Sequence, residues 1–255
     1  MKSSKKMISV ITPCLNEEGN VDRCYTELKK VFEKNLPQYS YEHIFCDNGS
    51  KDNTVRKLKI IAAKDKNVKI IVLSRNFGFY NSAYNGTISA IGDAIVPSFA
   101  ADCQDPAEII PKFVKNWENG SDVVFGRKVS RDESLIMQYI RRFYYQLVAK
   151  FSNIDIPENV GEFSLIDKKV QDSLKEYDDY YPYLRGMIAS CGFKTSIVNY
   201  AWVKRIVGKT TGTTFILIDN AINGLISFTN LPMRICMLLG FSISILSLIY
   251  SLISI

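Results

Sequence analysis

The sequence has a single histidine and no closely spaced pair of cysteines. Among its 255 residues there is one histidine, His43, in the strand-like run HIFC, and there are six cysteines with no CxxC pair. This spacing gives neither a zinc ribbon nor a disulfide framework, and it favours free thiols in a reducing compartment. We therefore expect His43 to be a core or strand-edge residue rather than a catalytic one.

Charged residues are absent from the C-terminal run Ile235–Ile255. A helix of that length spans a bilayer core of about 30 Å, so we predict a transmembrane helix rather than a buried core helix. The basic N-terminus is followed by an apolar run of only strand length, which does not match a signal peptide. Because Arg234, Lys204, Arg205 and Lys209 precede the apolar run, the main domain is expected in the cytoplasm, at the inner membrane.

The charge balance is basic, since 32 Lys and Arg residues exceed 26 Asp and Glu residues to give +6. Such a surplus suits a partner that carries phosphate, such as a nucleotide or a lipid headgroup. A basic soluble surface fits the number equally well. We do not expect nucleic-acid binding, because the basic residues do not cluster on one obvious face.

Short apolar runs alternate with amphipathic segments over the first half of the chain. The predicted strands are Ile8–Thr12, Tyr41–Cys46, Val68–Leu73, Ala94–Phe99 and one beginning at Val123–Phe125. The predicted helices follow Asn16 as a cap and run to about Lys34, then cover Thr54–Lys64, the small-residue segment Asn81–Ile91, and Pro106–Asn119. Alternation of this kind predicts an α/β fold, with a mostly parallel sheet and helices on both faces.

The second half of the chain carries two further helical patterns. Ser130–Phe151 reads as a basic, aromatic helix, and Thr213–Thr229 as an amphipathic one. Next to the apolar run, the amphipathic helix is expected at the membrane interface, with an ordinary surface helix as the alternative. The predicted organisation is a catalytic domain over 1–212, an interfacial helix over 213–230 and a transmembrane helix over 231–255.

Polar segments follow four of the predicted strands, namely TPCLNEE, CDNGSKDNT, SRNFG and FAADCQDP. The carboxyl ends of parallel strands meet at one edge of the sheet, and ligands of open α/β sheets bind there. We therefore expect these segments to form one shared site.

In order along the chain, these segments and the later VVFGRK, ENVGEFSLID, YLRGMIASCGF and KRIVGKTTG resemble family 2 glycosyltransferases of the GT-A fold. More narrowly, the chain is similar to polyprenyl-phosphate sugar transferases of the dolichyl-phosphate mannose synthase and bactoprenol glucosyltransferase type. The resemblance covers essentially the whole chain. Such enzymes usually carry two or more membrane spans, so it leaves open a longer membrane region.

The resemblance implies a nucleotide site at the first three segments. Pro13 would shape the first turn, Glu17 would approach the base or ribose, Asp47 would accept hydrogen bonds from the base, and Arg75 would lie beside the nucleotide. The family often has a second aspartate where this chain has Asn48. Turn formation alone is the alternative explanation for several of these residue types.

FAADCQDP resembles the metal corner of the family, usually Asp-x-Asp-x-Gln. Ala100 replaces the first aspartate, while Asp102 and Gln104 remain. The resemblance implies Mg²⁺ or Mn²⁺ held by Asp102, Gln104 and the donor diphosphate, with Asp102 both catalytic and in contact with the nucleotide. Asp105, before a proline, is expected to start the following helix.

Basic residues later in the chain match phosphate-binding positions of the family. Arg205 and Lys209 would lie over the donor diphosphate, and Arg127 would contact the acceptor phosphate. A lysine often found at Thr211 is missing. Structural salt bridges are the alternative for all three basic residues.

NVGEFSLID resembles the family's Gly-Asp-Phe-Arg-Leu, with Glu162 at the acidic position and Ser164 at the arginine. Glu162 would be a general base toward an alcohol acceptor. A lipid phosphate is mostly ionised near neutral pH, because its second pKa is about 6. Toward such an acceptor, Glu162 would orient the phosphate instead.

These features together predict an inverting, metal-dependent transfer of a sugar from a nucleotide-diphosphate sugar to a polyprenyl phosphate at the membrane. Two alternatives stay open. One is transfer to a saccharide hydroxyl, for which the missing arginine at Ser164 causes no difficulty. The other is a catalytically silent binding or scaffold subunit, which Ala100, Ser164 and Thr211 favour. The sugar, the base and homo-oligomerisation are not determined by the sequence.

Overall fold

The computed structural model describes residues 5–129, 139, 157, 160–177, 179, 182–205 and 231–254. The chain divides into two compact units. One comprises Met1–Asp132 and Pro157–Thr210, and the other Glu133–Ile156 and Thr211–Ile255. The predicted bounds of the catalytic, interfacial and transmembrane regions stay predictions.

The first unit contains a sheet whose seven strands come from its described residues. They are β1 (Met7–Cys14), β2 (Ser40–Asp47), β3 (Val68–Val72), β4 (Ala94–Val96), β5 (Val123–Lys128), β6 (Val160–Asp167) and β7 (Thr195–Tyr200), in the order β3-β2-β1-β4-β6-β5-β7. The helices are α1 (Val21–Asn35), α2 (Thr54–Lys64), α3 (Phe79–Ser89), α4 (Ile110–Glu118), α5 (Lys168–Leu174) and α6 (Leu184–Ser190), with a 3₁₀ turn at Ala107–Ile109.

The directions of the strands bring the carboxyl ends of several strands to one edge of the sheet. β1 is parallel to β2 and β4, β2 to β3, and β5 to β7, whereas β6 is antiparallel to both of its neighbours, β4 and β5. The carboxyl ends of β1, β2, β4 and β5 therefore share an edge with the amino end of β6. The predicted mostly parallel α/β sheet is confirmed.

Aromatic side chains fill the core between the sheet and α4. The rings of Phe113 and Phe163 lie 4.9 Å apart, and both residues are at most 1% exposed. His43 is buried in β2, where its Nε2 and the Thr12 hydroxyl form a 2.8 Å hydrogen bond. Burial lowers the pKa of His43 to about 3, so the ring is neutral at physiological pH. The expectation of a core histidine is confirmed.

The predicted cap of α1 was wrong. The helix begins at Val21 after Asn20, whereas Asn16 has a left-handed φ of 54° and forms a turn. The backbone N–H groups of Asn20 and Val21 donate to the Glu17 carbonyl. Glu17 and Glu18 consequently stay in the loop after β1 instead of entering the first turn of the helix.

Prolines shift two other predicted bounds. β4 stops at Val96 because Pro97 has no N–H to donate to a neighbouring strand. α4 begins only at Ile110, with Pro111 in its first turn, where a missing N–H costs nothing. Asp105 is not the cap of the preceding 3₁₀ turn, a position that Pro106 holds.

α3 packs closely on the sheet, as its small residues predicted. A Cβ placed on Gly86 would lie 2.5 Å from Ile11 Cγ2 and 2.6 Å from Cys46 Sγ. Only glycine fits at this contact, which sets the distance of α3 from β1 and β2.

In the second unit, α7 (Leu231–Ile253) is apolar, and Met233–Ile253 is long and apolar enough to cross a membrane by length and composition. In the described part of the chain, the side chains of that stretch are exposed. The predicted helix Thr213–Thr229 lies outside the described residues, as does the predicted helix Ser130–Phe151 apart from Tyr139.

Candidate active site

Two loops at the carboxyl edge of the sheet hold each other in place. After β1, the Asn16 backbone N–H donates to Ser50 Oγ at 2.9 Å, and Asn16 Oδ1 accepts from the Lys51 N–H at 2.8 Å. The Glu17 N–H donates to Thr54 Oγ1 at 2.8 Å. These bonds fix the loop after β1 against the loop after β2 and the start of α2, so that the Glu17 side chain faces the shared edge. Pro13 itself lies within β1, paired with Cys46.

Asp47 ends β2 as a fully buried carboxylate. Its Oδ2 accepts from the backbone N–H groups of Gly49 at 3.1 Å and Ser50 at 3.0 Å, which is a turn of the kind that aspartate favours. Its Oδ1 is buried and has no hydrogen-bond partner in the described part of the chain. A buried acceptor without a donor is costly, so Asp47 is suited to a donor supplied by a ligand.

Arg75 lies beside the same turn. A Cβ on Gly49, whose φ is 78°, would come within 2.9 Å of the Arg75 backbone carbon. The Arg75 guanidinium lies 3.9 Å from the centre of the Phe77 ring. Asn48 donates to Asn76 Oδ1 at 2.8 Å and accepts from the Phe77 N–H at 2.9 Å, so it ties the segment after β3 to the turn after β2.

Asp102 lies in the loop after β4, and only 10% of its side chain is exposed. Its Oδ1 accepts from the Gln104 backbone N–H at 3.2 Å. Burial raises the pKa of Asp102 above its ordinary value; the Gln104 N–H and the charge of Arg205 act in the opposite direction, while Asp105 adds to the rise. The carboxylate therefore needs a nearby positive charge.

Arg205 connects the loops after β1 and β4. Its Nη2 donates to Glu17 Oε1 at 2.8 Å and Oε2 at 2.9 Å, and its Nη1 donates to Asp102 Oδ2 at 3.3 Å. All three side chains are at most 18% exposed. Two carboxylates predicted to serve nucleotide and metal thus converge on one cation.

Gln104 completes this group. In the orientation that satisfies both ends of its amide, the nitrogen donates to Asp102 Oδ2 at 2.9 Å and the oxygen accepts from the Arg205 backbone N–H at 3.3 Å. The Gln104 carbonyl also accepts from the Val203 N–H at 3.0 Å. Gln104 therefore lies against Asp102, and its role as a metal ligand stays a prediction.

The carboxylates of Glu17 and Asp102 suit a hard divalent cation whose remaining ligands would be substrate oxygens. Among the described residues there is no group of three or more His, Cys, Asp or Glu side chains that could hold a metal alone. Glu17 and Asp102 nevertheless both contact the Arg205 guanidinium, Glu17 through Nη2 and Asp102 through Nη1. Mg²⁺ is commonly held by one or two carboxylates together with substrate phosphates and water, and this arrangement matches that pattern.

Glu162 lies near the amino end of β6, at the same edge of the sheet. Its Oε1 is 3.9 Å from Arg185 Nε. Burial raises the pKa of Glu162, while the charge and backbone N–H of Arg185 and the charge of Lys128 lower it. Ser164 is only 1% exposed, so the residue that stands where the family has arginine faces the interior.

Arg127 lies at the carboxyl end of β5, paired with Val160, two residues before Glu162. Its Nε is buried without a hydrogen-bond partner among the described residues. The sheet therefore brings Arg127 and Glu162 to one region. Lys209 and Thr211 lie outside the described residues.

Three residues at this edge were missed as functional candidates. Lys128 Nζ lies 3.1 Å from Asp105 Oδ1, to which Tyr200 also donates at 2.6 Å. The Arg185 guanidinium donates to the carbonyl of Val160, two residues before Glu162. Lys128 directly follows Arg127, and that adjacency is the one sequence signal that could have drawn attention to it. Nothing local predicts the contacts of Arg185 or Tyr200.

Comparison with known proteins places this arrangement in a family. The profile described as glycosyl transferase family 2 matches residues 9–174. The chain is 33% identical over 244 residues to a prophage bactoprenol glucosyl transferase homolog of Escherichia coli, with 95% of this chain and 79% of that protein covered. It is 30% identical over 244 residues to the bactoprenol glucosyl transferase of Shigella phage SfX, with 95% and 79% covered.

Two solved structures share the fold at low sequence identity. Glucosyl-3-phosphoglycerate synthase of Mycobacterium tuberculosis, in complex with Mn²⁺, UDP-glucose and phosphoglyceric acid, aligns with a TM-score of 0.58 at 15% identity, covering 87% of this chain and 79% of that one. Staphylococcus aureus TarS 1–349 in complex with UDP-GlcNAc aligns with a TM-score of 0.55 at 17% identity, covering 80% of this chain. This chain spans only 60% of that TarS chain.

Proposed function

The chain belongs to glycosyl transferase family 2, with a GT-A fold, and we propose that it transfers a sugar from a nucleotide-diphosphate sugar to a polyprenyl phosphate at the cytoplasmic face of the inner membrane. The observation that carries the acceptor is the likeness to bactoprenol glucosyl transferases over 95% of the chain. The exposed apolar helix α7 supports a membrane-bound chain.

The donor nucleotide would bind at the loops after β1, β2 and β3. Asp47 Oδ1, buried without a protein donor in the described part of the chain, would accept from the base. Glu17 would approach the ribose or base, Pro13 would shape its loop, and Arg75 would line the same side. Asn48 is already used to hold the loop after β3, which supports a structural role for it.

The diphosphate would lie at the loop after β4. Asp102 and Gln104 would hold Mg²⁺ or Mn²⁺, with Glu17 close by. When bound, the cation would offset the charge that develops on the leaving diphosphate. Arg205 would pair with the diphosphate oxygens, since a guanidinium fork suits phosphate, and Lys209 would add a point charge there.

The acceptor phosphate would lie at the end of β5 and the start of β6. Arg127 would hold it, and Glu162 would orient it. An oxygen of the acceptor would attack the anomeric carbon on the face opposite the diphosphate. The new C–O bond would form as the bond to the diphosphate breaks, which inverts the configuration. Arg185 and Lys128 would reduce repulsion between Glu162 and the phosphate.

A second candidate is transfer to a saccharide hydroxyl. The observation that favours it is Ser164, which faces the core and leaves the family's phosphate-binding arginine without a direct equivalent. Glu162 would then remove the hydroxyl proton. Its raised pKa suits a general base better than an ordinary glutamate would.

The test supplies purified full-length protein with radiolabelled nucleotide sugars, Mn²⁺ and either undecaprenyl phosphate or oligosaccharides. We expect labelled product in the organic phase only with the lipid phosphate. Arg127→Ala should raise the acceptor KM more than the donor KM. Product only in water-soluble saccharides would support the second candidate, and no product with any donor would support a silent binding subunit.

A further inference from the structure

Arg205 contacts two carboxylates that would face the metal and the donor in the proposed site. It donates to both oxygens of Glu17 and to Asp102 Oδ2. Asp102 is the carboxylate at the family's metal position. A cation bound to Asp102 Oδ2 and the guanidinium that contacts the same oxygen would therefore compete.

The contact is built into the backbone as well as the side chains. The Val203 N–H donates to the Gln104 carbonyl at 3.0 Å, and the Arg205 N–H lies 3.3 Å from the Gln104 side-chain oxygen. Residues 203–205 therefore run alongside the loop that carries Asp102. This pairing delivers the guanidinium to the two carboxylates.

The burial of these two carboxylates gives a reason for a positive side chain to lie between them. The Asp102 and Glu17 side chains are only 10% and 14% exposed, and both carboxylates contact the same guanidinium. Buried carboxylates are costly unless a charge partner is close. The Arg205 guanidinium meets that need with a fork that can contact several carboxylate oxygens at once.

We propose that Arg205 is a resident counter-cation, which holds the metal position in the donor-free protein and yields it when metal and donor diphosphate bind together. The diphosphate offers Arg205 a second set of oxygens, so the guanidinium moves from carboxylate to phosphate. Divalent metal alone offers no such replacement and must compete with Arg205. The inference rests on the proposed function, since it assumes a nucleotide-diphosphate donor.

Binding of Mn²⁺ to the full-length protein in detergent, followed by the electron paramagnetic resonance signal of free Mn²⁺, tests this without activity. With Mn²⁺ alone, Arg205→Gln should bind about tenfold tighter than wild type, a difference of about 1.4 kcal/mol. With saturating UDP or GDP, wild type should gain affinity for Mn²⁺, whereas Arg205→Gln should gain much less. Equal Mn²⁺ affinity of wild type and Arg205→Gln in the absence of nucleotide would overturn the proposal.

Two control variants distinguish the contact of the Arg205 guanidinium with Asp102 from a general effect of positive charge on Mn²⁺ binding. Lys128→Gln removes a cation whose field reaches Asp102 but whose ammonium contacts Asp105, so it should tighten Mn²⁺ binding far less than Arg205→Gln does. Arg205→Lys keeps the charge but lacks the fork, so it should bind Mn²⁺ tighter than wild type. Tightening by Lys128→Gln equal to that of Arg205→Gln, or an Arg205→Lys protein equal to wild type, would reduce the effect to bulk charge and refute the exchange.

Failure of the inference and failure of the proposed function give different results. If organic-phase product forms but Arg205→Gln leaves Mn²⁺ binding unchanged, only the inference fails. If Arg205→Gln tightens Mn²⁺ binding while no lipid product forms, the exchange stands and the lipid acceptor is wrong.

Discussion

Tyr200, at the end of β7, donates a 2.6 Å hydrogen bond to Asp105, three residues along the chain from Asp102. Lys128 binds the same carboxylate oxygen at 3.1 Å. The two aspartates of one short loop therefore have separate partners. Asp105 ties the loop to β5 and β7, whereas Asp102 faces Arg205 and the predicted donor.

Because the two aspartates have different partners, substitution of Asp102 and substitution of Asp105 should have different effects. Asp102→Asn should reduce transfer about a hundredfold or more, as expected for a lost charge-stabilising group, with little change in Tm. Asp105→Asn should lower Tm because it leaves Tyr200 and Lys128 with a weaker partner. Thermal unfolding and initial rates, measured on both variants, check this. An Asp102→Asn enzyme as fast as wild type would remove Asp102 from the active site.

The environment of Glu162 predicts a pH dependence. Burial raises its pKa, and the proposed transfer uses the carboxylate form, so kcat/KM should fall as pH decreases through a pKa above the ordinary glutamate range. Glu162→Gln should be slower, and its kcat/KM should not show this decrease at low pH. Protonation of a lipid phosphate acceptor would cause a separate decrease of kcat/KM at about pH 6, which the variant should keep. A wild-type profile identical in shape to that of Glu162→Gln would show that Glu162 does not control the rate.

The contact of α3 with the sheet predicts that Gly86→Ala destabilises the protein. The added methyl would overlap Ile11 and Cys46, and overpacking of a core typically costs about 1–3 kcal/mol. The better helix propensity of alanine, about 1 kcal/mol, offsets only part of that cost. Asn85→Ala, at the exposed neighbouring position, is the matched control and should not lower Tm. A Gly86→Ala protein with a raised Tm would contradict the observed spacing.

The apolar stretch Met233–Ile253 predicts an integral membrane protein. Full-length chain should stay with membranes through a high-salt wash and alkaline carbonate, whereas a chain ended near Thr211 should be released. Lysine at both Ile243 and Leu246 should weaken insertion, since each charge near the centre of a span costs about 2.5–3.5 kcal/mol. Release of the full-length protein by salt alone would indicate only electrostatic binding by a basic surface.

The common edge of the sheet could be predicted from the sequence because it follows from local rules. Each of the first four strands is a short apolar run, and each polar segment follows one directly. Parallel pairing then places Glu17, Asp47 and Asp102 at one edge of the sheet without any knowledge of side-chain contacts. The close packing of α3 was likewise visible in its run of small residues, among them Gly86.

Contacts between distant segments could not be predicted in the same way. The strand direction of β6, which places Glu162 at the edge, has no signature in the residues of NVGEFSLID. The cap of α1 was misassigned because Asn16 and Asn20 are equally good capping residues. The turn geometry at Asn16, set by Ser50 and Lys51 from another loop, decides between them.

The bond between Glu17 and Arg205 joins residues 188 positions apart, so the order of synthesis has a consequence for the site. While the chain is being made, the loops after β1 and β4 exist long before Arg205 follows them. The acidic corner can therefore meet metal ions or nucleotides before its own cation is available. Because β6 must also insert between β4 and β5, contacts of long sequence separation dominate the final stage, and such contacts form slowly. A nascent chain stopped before Arg205 would hold Glu17 and Asp102 without the guanidinium that they share in the folded protein.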